Sequence, residues 1–169
     1  MINVGVVGDT GRAGTLRTCF NRMGERARIY GYYNYGEKND SNYVYYETFD
    51  EMINDPNIQA VAISNYFCSH TELAIKALDA GKHVLSEVTA CVTPKECVEL
   101  CEAVERNHCV YALMESHAFL PTCVEMKSQI ESGVFGPIVY AEGEYCRHLR
   151  QGGRGRNQEC NLKARNNGS

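Results

Sequence analysis

The residues most able to do chemistry come first in the chain. Gly8-Asp9-Thr10-Gly11-Arg12-Ala13-Gly14 stands between a short apolar run, Asn3–Val7, and a helical pattern that opens near Thr15. Glycines between a strand and a helix let the backbone turn tightly and approach a pyrophosphate, which then sits on the helix N-terminus. The spacing is G-x-x-G-x-x-G; in the G-x-G-x-x-G register, Thr10 and Ala13 replace the second and third glycines. The competing reading is a tight strand–helix turn with no ligand. The second element of such a site is an acid ending the second strand, which bonds the adenosine ribose. Twenty residues after Gly14 stands Asn34 instead. An amide can still bond a ribose hydroxyl and does not repel a 2′-phosphate, which Arg12 or Lys38 could pair with. Asn34 can equally be a turn residue with no ligand. The choice between NAD and NADP stays open.

Other groups carry less. Cys97 and Cys101 lie one helical turn apart with His108 and Cys109 beyond them, but the sequence contains no C-x-x-C pair. Small core residues are the expectation there rather than zinc ligands. His117 follows a strand and could approach a nicotinamide, although a helix-start histidine accounts for it as well. The tyrosines gathered between Tyr30 and Tyr46 read as strand formers.

The elements that must position these groups follow from composition and period. With 169 residues, 44% hydrophobic and 22% charged, the chain can bury one ordinary core. The net charge of −4 is uneven, because the stretch from Arg147 onward holds six basic residues and one acid. The acidic body argues against a nucleic-acid-binding domain. Nine cysteines are an odd number, and Met1–Val7 does not read as a signal peptide. No run of apolar residues approaches a membrane span. The expectation is a reducing, cytoplasmic setting with no membrane and no nucleic acid.

Strands are expected at Asn3–Val7, Ala27–Tyr33, Tyr43–Tyr46, Gln59–Ser64, His83–Ser86 and Cys109–Met114. Capping boxes are expected at Thr48/Glu51 and Ser69/Glu72, and Thr93-Pro94-Lys95-Glu96 is a further helix start. Val98, Cys101 and Val104 would be the apolar side of that last helix, and a further helix runs toward Ile130. Strands alternating with helices give α/β, a Rossmann-like doubly wound parallel sheet. Ile138–Tyr145 alternates faces as a half-exposed strand, and the polar residues 150–169 should be disordered.

The order of these pieces is identified as similar to the N-terminal half of the Gfo/Idh/MocA oxidoreductases, the glucose–fructose oxidoreductase and inositol dehydrogenase family. The residues that carry the resemblance are AVAISNYFCSHTELAIKALDAGKHVLSEVTA (Ala60–Ala90), TPKECVELCEAVERN behind it, and SGVFGPIVYAEGEY (Ser132–Tyr145). It covers about residues 2–146 and implies an NAD(P)-dependent oxidoreductase acting on a sugar or polyol-like substrate. Carried over residue by residue, Gly8, Asp9, Thr10, Gly11, Arg12 and Ala13 form the pyrophosphate loop. Ser64, Asn65 and Tyr66 lie along the nicotinamide ribose. His70 matches a histidine at the next helix start, and Glu87 the glutamate of Glu-Lys-Pro.

The chain departs from the family at Val88 and Thr89, which stand where the family has lysine and proline. That lysine lies at the cofactor–substrate junction, and valine has no proton to move. Family members also continue into a substrate domain, of which Ile138–Tyr145 would be the first strand. The expected division is therefore 1–120 for the dinucleotide-binding domain, 121–149 for a linking helix and that strand, and 150–169 for a basic tail. Little activity is expected from this chain alone. Self-association through an unpaired strand at 138–145 is a further expectation, and a non-enzymatic interaction or regulatory role is the alternative.

Overall fold

A computed structural model describes residues 1–8, 10–36 and 40–144. The chain divides into two compact units, Met1–Met114 and Glu115–Ser169.

The first unit holds six parallel strands, β1 (Ile2–Val7), β2 (Ala27–Tyr33), β3 (Val44–Tyr46), β4 (Ala60–Ile63), β5 (His83–Ser86) and β6 (Tyr111–Leu113). They lie in the order β3-β2-β1-β4-β5-β6. The helices are α1 (Thr10–Asn21), α2 (Phe49–Asn54), α3 (His70–Asp79) and α4 (Pro94–Asn107). This is the doubly wound α/β sheet that the alternation of strands and helices implied. A strand buried on both faces reads as a continuous apolar run, and all four residues of β4 are buried.

The two faces sort by parity along β1 and β4, while in β2 a bulge at the Val4/Gly5 register shift puts Ile29 and Tyr32 on one face. Val7, Val61, Ile63 and Val84 meet Met52, Ile53, Ala74, Ala77, Leu78, Leu100 and Ala103 on the face covered by α2, α3 and α4. Val4, Val6, Ile29, Tyr32, Ala60 and Ala62 meet Ala13, Leu16 and Phe20 of α1 on the other. The edges are β3 and β6, each three residues long, and short edges limit unwanted pairing.

Local signals fixed several boundaries. Thr48 caps α2 by accepting from Glu51 N–H at 3.2 Å while the Glu51 carboxylate accepts from Thr48 N–H. Thr93 and Glu96 do the same for α4, with Pro94 opening it. Gly81 follows α3 with φ +73°.

Other expectations are corrected. Ser69 makes no cap bond to α3, because its hydroxyl donates to Tyr66 O and accepts from Asn65 Nδ2. α1 starts at Thr10, several residues before the expected start near Thr15. On α4 the buried residues are Leu100 and Ala103, whereas Cys97, Cys101 and Val98 are exposed, so the cysteines are not core residues.

In the second unit a 3₁₀ turn, Ser116–Phe119, precedes α5 (Pro121–Glu131). Residues 137–144 contain no strand. Alternation makes a strand only where a neighbouring backbone takes up its hydrogen bonds, and Val139 is instead 95% exposed. Residues 138–144 pair with no strand among the described residues. Tyr145 and the tail at 150–169 lie outside the described residues. Among the described residues, no helix is long and apolar enough to cross a membrane.

Candidate functional site

The sheet order places one crevice by topology. The chain leaves β1 toward α1 on one face and leaves the adjacent β4 toward α3 on the other, so the two C-terminal ends part. In open α/β sheets ligands bind at this switch point.

Gly8 stands there with φ +138°, and a Cβ on it would lie 2.8 Å from the Ser64 backbone carbon and 2.9 Å from Asn65 N. Only glycine fits both the conformation and the space. Gly8 N–H donates to Tyr33 O at 3.1 Å, which ties the turn after β1 to the end of β2. Thr10 and Gly11 form the start of α1. Ala13 is fully buried beneath that helix, so it serves helix–sheet packing rather than ligand contact. Asp9 and Lys38 lie outside the described residues.

Asn34 follows β2 directly, exposed and with φ +57°. Asparagine tolerates that left-handed conformation, so the residue is a turn former at the position where an acid would bond a ribose. Nearby, Tyr32 is buried among Tyr35, Tyr43 and Tyr45, with ring centroids at 4.4, 5.1 and 6.0 Å. Arg17 lies 5.0 Å over the Tyr43 ring and 2.7 Å from Asp40. Burial pushes the Tyr32 phenol well above its ordinary range. The tyrosine content hinted at this cluster, but strand propensity alone did not gather it into one place.

On the β4 side, Ser64 is spent on the fold. Its N–H and its hydroxyl both donate to Val7 O, at 2.8 and 2.9 Å, and lock the ends of β1 and β4 together. Asn65 Nδ2 donates to Ser69 Oγ at 2.7 Å, while its Oδ1 is buried without a partner among the described residues. Tyr66 is half-buried with its ring 4.7 Å from that of Phe67.

His70 departs from the expected ligand contact. It is 1% exposed, and its ring nitrogens sit on protein carbonyls: Nε2 is 3.0 Å from Asn65 O and Nδ1 is 3.1 Å from Thr89 O. The ring thus lies between the loops after β4 and β5. Thr71, which spacing did not single out, adds a bond from its hydroxyl to Ala90 O at 2.9 Å.

Glu87 extends the β5 side, with its N–H on Ile63 O at 2.9 Å and its carboxylate 3.2 Å from Arg12 Nε. Two residues that the sequence assigned separately to the crevice thus meet across it. Val88 is 42% exposed, and the Val88–Thr89 peptide is cis. His117 belongs to the second unit, where its Nδ1 lies 3.0 Å from Glu115 Oε1.

The Gly81–Val84 segment, which with its flanks is a fairly specific part of the resemblance, is structural and leads into the opposite end of β5. Lys82 Nζ donates to Asp55 O and Ile58 O at 2.9 and 2.7 Å, and His83 Nδ1 accepts from Val110 N–H at 3.0 Å.

A parallel sheet in this order, with a glycine turn opening a helix at its switch point, defines a nucleotide-binding Rossmann domain. The family model described as "Oxidoreductase family, NAD-binding Rossmann fold" (Gfo/Idh/MocA) matches residues 2–115. The chain belongs to that family. It is 34% identical over 101 residues to an alpha-N-acetylgalactosaminidase of Bacteroides fragilis, covering 59% of this chain and 23% of that one. Among solved structures it resembles the WlbA dehydrogenase of Bordetella pertussis in complex with NADH and UDP-GlcNAcA. The TM-score is 0.70 at 21% identity, over 80% of this chain and 41% of that one. It also resembles the biliverdin reductase of Synechocystis in complex with biliverdin and NADP⁺, with TM-score 0.66 at 20% identity over 77% and 43% of the two chains. This chain therefore spans about a quarter of the curated relative and about two fifths of these solved chains.

Proposed function

We propose that residues 1–120 bind NAD or NADP at the β1/β4 crevice, as the dinucleotide-binding part of an oxidoreductase for sugar or polyol-like substrates. The observation that carries this reading is Gly8, whose φ of +138° and close packing on Ser64 and Asn65 turn the chain from β1 into the start of α1 at the switch point. A helix of this length presents free N–H groups and a partial positive charge to a pyrophosphate.

Each part of the crevice has its own task in this reading. Gly8, Asp9, Thr10, Gly11, Arg12 and Ala13 form and support the pyrophosphate turn. Asn34 offers its amide to the adenosine ribose and leaves a 2′-phosphate unrepelled. Ser64, Asn65 and Tyr66 border the nicotinamide ribose, and Glu87 closes the far side. Bound there, the nicotinamide would supply hydride transfer. His70 and Thr71 keep the loops at Asn65 and Thr89–Ala90 in register.

Val88 favours a second reading, an interaction or regulatory protein derived from the family. Its side chain has neither charge nor proton at the position of the family lysine, so the described residues offer no proton relay there. Calorimetric titration with NADH and NADPH tests the first reading, and the absence of heat for both at millimolar concentration would sink it. A dehydrogenase assay with polyols and sugars separates the two: sustained turnover by this chain rules out the second.

A further inference from the structure

We propose that Arg12 and Glu87 form a charge latch over the dinucleotide crevice, and that a pyrophosphate binds by drawing Arg12 away from Glu87. The proposal rests on the dinucleotide reading above and adds the residue pair that sets affinity.

The topology makes the pair span the site. Arg12 lies in the first turn of α1, just after β1, and Glu87 lies just after β5. Between those strands runs β4, so the 3.2 Å contact crosses the end of the strand that leads into Ser64 and Asn65. A ligand laid along the switch point meets this ion pair.

The two partners differ in freedom. Glu87 is the fixed half: its side chain is 14% exposed, its N–H is bonded to Ile63 O, and the loop beyond it is held by His70 and Thr71. Arg12 is the solvent-facing half, with its side chain 58% exposed.

The contact is also of a releasable kind. Arg106 grips Asp79 through three hydrogen bonds of 2.7 to 3.0 Å. Arg12 approaches Glu87 through Nε at 3.2 Å, and no aligned hydrogen bond joins the two side chains. A pair whose arginine is exposed and lacks that geometry is held loosely, and a guanidinium fork matches phosphate oxygens well. Glu87 therefore has two effects on a pyrophosphate. Its carboxylate opposes the phosphate charge, and it competes for the arginine that would neutralise that charge.

Charge variants read this directly. By calorimetry with NADH and with ADP-ribose, which has the pyrophosphate without the nicotinamide, E87Q should bind about tenfold more tightly than the native chain. R12Q should bind about tenfold more weakly, R12K should recover most of that loss, and R12Q/E87Q should stay weaker than the native chain, because part of the gain from removing Glu87 needs a freed Arg12; strict additivity of the two single effects would overturn the latch. Thermal melting of each variant reports stability separately. Weaker binding by E87Q would make Glu87 a direct ligand and overturn the latch. A lowered melting temperature with unchanged affinity would reduce the pair to a structural contact and overturn it too. Tight native binding that is indifferent to E87Q leaves the dinucleotide reading standing and removes only the latch. Failure of every variant to bind removes both.

Discussion

The Nε2 of His70 lies 3.0 Å from the carbonyl oxygen of Asn65, so the first residue of α3 is bonded to the loop that precedes it. The other ring nitrogen meets Thr89 O, and one buried ring thereby joins the loops after β4 and β5. Replacing it takes the ring N–H from the carbonyl it donates to and leaves a cavity beneath the crevice. H70A should lose about 2–4 kcal/mol of stability, measured by urea denaturation. A loss below about 0.5 kcal/mol, the range of an ordinary surface change, would show that the ring holds nothing.

Gly8 is the position where the fold and the proposed ligand make the same demand. A methyl group there would lie 2.8 Å from Ser64 backbone in a conformation L residues avoid. G8A should cost about 1–3 kcal/mol through strain and weaken NADH binding by at least about tenfold. Calorimetry and melting together check it, and native affinity in G8A would move the ligand away from this turn.

Asn34 leads to an expectation about cofactor choice. Without an acid after β2, NADH and NADPH should bind within about tenfold of each other, a difference under roughly 1.4 kcal/mol. N34D should shift the preference toward NADH, because a carboxylate accepts from ribose hydroxyls and repels a 2′-phosphate. Competitive titration decides it, and an unchanged ratio in N34D would make Asn34 a turn residue alone.

Asp55 provides a pH test remote from the crevice. The Tyr46 hydroxyl donates to its Oδ2 at 2.6 Å, and Asn57 donates from both its N–H and its Nδ2 to Oδ1. The Tyr46 bond first, with the Asn57 bonds and the Lys82 charge behind it, holds the Asp55 carboxyl below its ordinary range against the opposing effect of burial. A depressed folded-state value stabilises the fold above the unfolded value and loses that contribution as pH falls through the folded one. The stability gap between native protein and D55N should therefore be largest near neutral pH and shrink below about pH 4. Denaturation at pH 7 and pH 3 measures it, and an equal gap at both would remove the charge from the account.

Much of the architecture was legible from local chemistry. Thr48 with Glu51 and Thr93 with Glu96 announced their helices because a capping box is satisfied within four consecutive residues. The β4 run was legible because a strand buried on both faces has no polar alternation to confuse it. Gly8 was legible for a related reason, since a positive φ between a strand and a helix calls for glycine.

Signals that depend on distant partners misled or were silent. Ser69 had the spacing of a cap, but its hydroxyl serves Asn65 and Tyr66 instead. α1 has glycines at Gly11 and Gly14 near its start, so propensity placed it late; Ala13, Leu16 and Phe20 packing on the sheet extend it back to Thr10.

By itself, then, the sequence determined the order of strands and helices, two capped helix starts, the glycine turn and the family. The elements and the turn follow from periodicity and from hydrogen bonds closed within a few residues, and the family from the resemblance carried by Ala60–Ala90 and its flanks. The tertiary structure alone decided that Arg12 meets Glu87, that His70 holds Asn65 and Thr89, and that residues 138–144 form no strand. Each of these depends on a group far along the chain or on a neighbouring backbone, and no local pattern encodes which distant atom will lie within bonding reach.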